Sequence, residues 1–345
     1  MSNAKQTEIL FVDKGNTILS RLPGFVRDYI RSIHNRTSPR TRYEYLKDIE
    51  NFLIYVFDHY TPGAQDLTGI TTGDLAKLTK SDFEGYFEHL EHYTKDGREI
   101  TNSRVSIKRK MSSLRRFFAY LFENDLIPSD NIRKVEQPKI SKKEIIRLEP
   151  DEMLDMVNAA GSLSPTPMTP KQRQYHKLQY VRDSAIICLF LSSGLRVSEL
   201  VSLDLDDIDM TRHLVHVVRK GGDEASVYFS DEASAVIGEY LNWRKENKDI
   251  PDDEKALFVS SRGSRFSVRA VEKLIAKYAA RVVPGKHITP HKLRATYATN
   301  LYNATGDIYL VAECLGHKDV TTTKNHYADM SSKHKEAARN LISLS

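Results

Sequence analysis

The chain has 345 residues, 40% hydrophobic and 28% charged, which exceeds the usual single-domain size and leads to an expectation of two soluble domains. Its formal charge of +5 is unevenly spread: residues 102–147 hold twelve Lys/Arg against five Asp/Glu, a concentration suited to a phosphate backbone. Two cysteines, Cys188 and Cys314, lack CxxC spacing, and no apolar run approaches membrane-spanning length, so a disulfide framework, a zinc site and a membrane protein are excluded and a reducing cytoplasm is expected.

Residues 1–19 are expected to be an extension, without an apolar segment of signal-peptide length. From Ser38 to Tyr60 the chain reads as a helix, with Ser38 as N-cap, Pro39 in the first turn and Leu46, Ile49, Leu53 and Val56 on one face. A second helix is predicted over 81–92. A third, over 103–123, turns Ile107, Met111, Leu114, Phe118 and Leu121 inward. Its other faces carry Arg104, Lys108, Arg109, Lys110, Arg115 and Arg116, the candidate DNA-contacting set together with Lys142 and Lys143. These helices define a domain over 20–127. The Lys-rich stretch 128–149 reads as a linker that either tracks a nucleic-acid backbone or is merely solvated.

The second domain, 150–330, is predicted as helices near 150–160, 178–193, 196–201, 231–247, 267–281, 290–302, 307–315 and 319–329. A surface loop is expected over 161–174. Between the helices, Leu214–Val218 and Ala225–Phe229 flank the turn Lys220-Gly221-Gly222-Asp223 as a β-hairpin. A last helix over about 332–343, in the tail 331–345, packs on its own domain or on a neighbouring protomer. The fold class is therefore mainly α with a small antiparallel sheet.

Four strings carry the chemistry: SSGLRVSEL around Arg196, RKGG around Lys220, HKLRATYAT from His291, and LGHKDVTTTKNHY ending at Tyr327. His291 and Arg294 fall three apart on one side of a helix start, a setting that favours anions. Arg196 follows Gly194, a predicted helix end, and Glu199 stands three residues on, able to orient its guanidinium. An internal Arg–Glu pair and a solvated turn lysine at Lys220 are the plainer readings of those positions. Tyr327 shares the region with Tyr297, Tyr302 and Tyr309.

In order and content, these strings resemble the boxes of the tyrosine recombinase (phage integrase-like) family, over nearly the whole chain. The resemblance implies a two-lobed DNA clamp with a helical core-binding domain and a catalytic domain. It implies a catalytic set of Arg196, Lys220, His291, Arg294, His317 and Tyr327, with Tyr327 as nucleophile and Glu199 in support, and neither metal nor cofactor. Duplex DNA with a specific recombination site would be the substrate, a homotetramer on two sites the working assembly, and an accessory protein a further partner. The N-terminal RLPGFVRDYI and YEYLKDIENFL are similar to Xer-type members, which points to chromosome dimer resolution; integration or excision of a mobile element is the other role. Three departures from the pattern stand out: Ala295 replaces a histidine, Asp223 and Glu224 replace basic residues, and His317 and Tyr327 are ten residues apart. A type IB topoisomerase-like relaxation enzyme and a non-catalytic DNA-binding protein are the competing readings.

Overall fold

The computed structural model of the chain describes residues 3–61, 63–95, 97–140, 146–161, 170–219, 222–317 and 319–321. It divides into two compact units, Met1–Lys142 and Lys143–Ser345, each with its own apolar core.

In the first unit, α1 (Asn3–Leu19), α2 (Gly24–Ser32) and α3 (Pro39–Tyr60) precede the short α4 (Thr72–Ala76) and α5 (Lys80–His89). A hairpin, β1 (His92–Lys95) and β2 (Arg98–Thr101), then leads into α6 (Arg104–Glu123). Ser38 caps α3 by accepting from the Thr41 amide at 3.2 Å, and Ser103 caps α6 in the same way from Ser106 at 3.3 Å. Thr71 with Asp74 and Thr79 with Asp82 close capping boxes at the starts of α4 and α5. The stripe of α3 meets that of α6 through aromatic rings, with Phe52 packed edge-on against Phe118 and Tyr86.

Residues 3–19, expected as an extension, form a helix that joins this core: Ile18 is buried and the Phe11 ring lies 5.5 Å from that of Tyr43. Within the stretch read as a linker, Ile132 and Val135 belong to the first core and Leu148 to the second.

The second unit is built around α8 (Pro170–Ser193), which follows α7 (Pro150–Ala160). Between Val181 and Leu191 α8 is buried on nearly all sides, with α7, α10 (Asp231–Glu246) and α12 (Pro290–Thr305) packed on it. Its start at Pro170 lies inside the segment expected to be loop. Between α8 and α10 come α9 (Val197–Ser202) and a three-stranded antiparallel sheet, β3 (Ile208–Asp209), β4 (Leu214–Val218) and β5 (Glu224–Tyr228), in that spatial order. On β4, Val215 and Val217 are buried while His216 and Val218 face outward, the alternation expected of a one-sided sheet. The chain then continues through α11 (Val268–Val282) and α12 to α13 (Ile308–Leu315). Among the described residues, no helix is long and apolar enough to cross a membrane.

Candidate active site

Two helix ends and two helix starts build the site. α8 stops at Gly194, whose φ of +63° is left-handed and whose Cα abuts the ring of Tyr297. Arg196 then takes the N-cap position of α9. Its backbone N–H donates to Glu199 Oε2 at 2.8 Å and its Nη1 to Glu199 Oε1 at 2.7 Å. Glu199 is buried, so one carboxylate both caps the helix and fixes the guanidinium as a charge-assisted pair.

α12 begins Thr289-Pro290, and Arg294 projects from its second turn, only 6% exposed. Arg294 Nη1 donates to the Gly194 carbonyl at 2.5 Å, Nη2 donates to the Leu315 carbonyl, and Nη2 lies 3.4 Å from His317 Nε2. His291 stands one turn earlier on α12 and is exposed.

α13 ends in a Schellman motif. Gly316 adopts φ +61°, the His317 amide donates back to the Ala312 carbonyl at 2.9 Å, and the Gly316 amide to Glu313 at 2.8 Å. The motif fixes where His317 leaves the helix. It also presents the last carbonyls, the negative end of the helix dipole, to a ring of arginines. Arg196 Nη2 donates to Gly316 O at 3.3 Å and Arg294 to Leu315 O. Arg219 donates to Cys314 O at 3.2 Å and to Glu313 O at 3.4 Å.

Arg196, Glu199, Arg294 and His317 are thus brought into one network. Lys220 and Tyr327 lie outside the described residues. Each guanidinium carries five N–H donors in a planar fork, a geometry that suits both backbone carbonyls and a phosphate. Arg219 is not singled out by sequence reasoning; its position beside Lys220 in RKGG is the signal that could have found it. Among the other tyrosines, Tyr297 packs on Gly194 with its hydroxyl on Cys314, and burial followed by the neighbouring Cys314 pushes its pKa well above the usual phenol range. A buried phenol held neutral is a packing residue rather than a nucleophile. Tyr309 is exposed on α13. The Cys188 thiol is pushed up to about 11 by burial. Among the described residues, no group of three or more His, Cys, Asp or Glu could hold a metal ion.

The basic helix α6 divides into two classes. Arg109 makes a bidentate pair with the buried Asp48, at 2.7 and 2.8 Å, and Lys110 reaches the same carboxylate at 3.3 Å. Arg115 donates to the Val135 carbonyl, and Arg116 to the Tyr45 hydroxyl at 3.1 Å. Arg104 is exposed in the first turn and Lys108 is half-buried. Lys142 and Lys143 lie outside the described residues.

The model of the phage integrase family matches residues 147–334, more than half of the chain. The chain belongs to that family. Tyrosine recombinase XerS of Streptococcus thermophilus is 30% identical over 357 residues, covering 96% of this chain and 99% of the relative. XerS of Streptococcus agalactiae is 29% identical, covering 95% and 98%. This protein is accordingly a Xer-like tyrosine recombinase, an enzyme of site-specific DNA recombination. Its fold is shared with the Tn1549 transposon integrase in complex with circular-intermediate DNA, at 17% identity, a TM-score of 0.64, and coverage of 91% of this chain and 99% of that one.

Proposed function

We propose that this recombinase cuts and rejoins duplex DNA through Tyr327, with Arg196, Arg294, His317, His291 and Lys220 as its catalytic set and no metal or ATP. The observation that carries the reading is the convergence of Arg196, Arg294 and His317 on the last turn of α13, each held by protein partners. Preorganised donors of this kind stabilise charge as it builds on the non-bridging oxygens of a phosphodiester, each worth roughly 10²–10³ in rate by analogy with oxyanion holes. Guanidinium is suited to the task because it stays protonated and binds phosphate as a fork.

In the step proposed, the Tyr327 oxygen bonds to phosphorus as the bond to the 5′ oxygen breaks. The phenolic proton passes toward His291, and the Lys220 ammonium gives its proton to the leaving 5′ oxygen. The product is a 3′-phosphotyrosine and a free 5′-hydroxyl. The covalent link keeps the phosphodiester energy, so attack by another 5′-hydroxyl reseals the strand. Four cleavages on two sites call for four protomers. The similarity to XerS proteins over nearly the whole chain supports a Xer-type role in chromosome dimer resolution within the cytoplasm.

Trapping on a nicked suicide substrate tests the reading. Tyr327→Phe is expected to abolish the covalent adduct while leaving DNA binding near the parent level; an adduct formed at normal yield by the variant removes Tyr327 from the role. Selection of binding sites from random duplexes by the purified protein then separates a chromosomal site from the ends of a mobile element.

A further inference from the structure

Arg219 is the last described residue before the β4–β5 hairpin tip, and Lys220 follows it in the chain. Its backbone closes the turn: the Arg219 N–H donates to Asp223 O at 2.8 Å, and its carbonyl accepts from Gly222 N–H at 3.0 Å. Its side chain crosses to α13, about 95 residues away in sequence, and donates to the Glu313 and Cys314 carbonyls. There the guanidinium lies on Gly316 so closely that a Cβ at that position would overlap it. Glycine is therefore required at 316 twice, once by its positive φ and once by the arginine on its face. On either side of the tip, Val218 is 64% exposed and Glu224 is exposed.

We propose that Arg219 is a positioning residue for proton delivery: it ties the hairpin that carries Lys220 to the turn that carries His317. The planar fork of arginine fits this duty, because two N–H groups meet two successive carbonyls at the negative end of a helix while the flat face rests on a glycine. Through that same turn, Arg219 shares a support with Arg196 and Arg294. A lysine could reach one carbonyl at a time and would not lie flat. The tie sets the register of the acid relative to the phosphate cradle, and this inference rests on the reading of Lys220 as the general acid.

The test compares single-turnover cleavage of two suicide substrates, one with the ordinary 5′ bridging oxygen and one with sulfur in its place. A thiolate leaves without protonation, its conjugate acid having a pKa of about 8.5, so sulfur removes the need for the acid. Arg219→Ala is expected to slow the oxygen substrate by about a hundredfold, the scale of an ångström of misplacement, and to cleave the sulfur substrate near the parent rate. Equal slowing on both substrates, or none on either, overturns the proposal. The oxygen-to-sulfur ratio is taken within one preparation, so a reduced folded fraction cancels. If Arg219→Ala does not melt cooperatively, Arg219→Lys supplies the ratio, with a smaller loss of the same pattern expected. Lys220→Ala is run beside them. Its failure to recover on sulfur refutes Lys220 as the acid, a result separate from the behaviour of Arg219.

Discussion

The Tyr297 ring lies against the Cα of Gly194, and the carbonyl of that glycine accepts from Arg294. Two arginines of the proposed catalytic set therefore depend on one aromatic contact. Gly194 ends the helix that precedes Arg196, and it also supplies the oxygen that orients Arg294. The contact exists because α12 lays its Arg294–Tyr297 turn directly over the end of α8.

Gly194→Ala should expose that dependence. The added Cβ meets the ring, and the left-handed backbone disfavours any L side chain, so the cost combines overpacking of about 1–3 kcal/mol with about 1–2 kcal/mol of backbone strain. A lowered melting temperature together with loss of covalent adduct is the expected outcome in thermal melts and suicide-substrate assays. Parent-like behaviour in both would show that the turn can open without disturbing Arg294.

Glu199→Gln tests the carboxylate that holds Arg196. The amide keeps the shape but loses the charge, and it cannot accept from the Arg196 N–H and guanidinium with the same strength. Cleavage is expected to fall by roughly tenfold to a hundredfold, with DNA affinity near that of the parent. Rates on a suicide substrate and binding curves give the two readouts. An unchanged rate would mean that the Gly316 carbonyl alone orients Arg196.

Local signals carried most of the fold. Ser38 before Pro39, Ser103 before the apolar stripe of α6, and Gly194 and Gly316 at helix ends are short-range chemistry, and the structure has each of them at a helix boundary. The two N-terminal helices were harder, because α1 mixes polar and apolar residues and becomes a core element only through α3. The strands β1 and β2 bury no residue fully, and HYTK and REIT carry no run of apolar residues to mark them. Long-range pairings were not legible at all: Asp48 claims Arg109 from 61 positions away, and Arg219 reaches α13 from about as far as a small domain is long. Arg196, Arg294 and His317 could be read as a set, while the carbonyls that hold them could not. Lys220 and Tyr327 rest on the sequence strings.

The Asp48 pairing ties Arg109 and Lys110 of α6 into the first unit, so the proposed DNA contacts of Arg104 and Lys108 can be tested apart from the fold. Replacing Arg104 and Lys108 by Gln is expected to weaken DNA binding and to reduce the slope of log affinity against log salt by about 0.9 for each phosphate no longer neutralised. Arg115→Ala is expected to lower the melting temperature of the first unit instead, since its guanidinium serves the Val135 carbonyl. Fluorescence anisotropy over a salt series, with melts beside it, distinguishes the two. A salt slope unchanged by the double substitution would move the backbone-binding surface elsewhere.

Tyr297→Phe separates the packing tyrosine from the proposed nucleophile. Removing the hydroxyl costs its hydrogen bond to Cys314, a net loss of about 0.5–1.5 kcal/mol, while the ring that rests on Gly194 remains. Covalent adduct formation is expected to persist, in contrast to Tyr327→Phe. The pH dependence follows from the raised phenol pKa. Because the folded state holds this proton more tightly than the unfolded state, Tyr297 contributes stability that is fully present below the ordinary tyrosine pKa of about 10 and is lost as pH rises from there through the higher folded value. Tyr297→Phe should therefore flatten the alkaline fall in melting temperature above about pH 10, leaving the neutral range little changed. An alkaline profile identical to the parent's would mean that the phenol ionises equally well in both states, and that the hydroxyl is not enclosed behind Arg294.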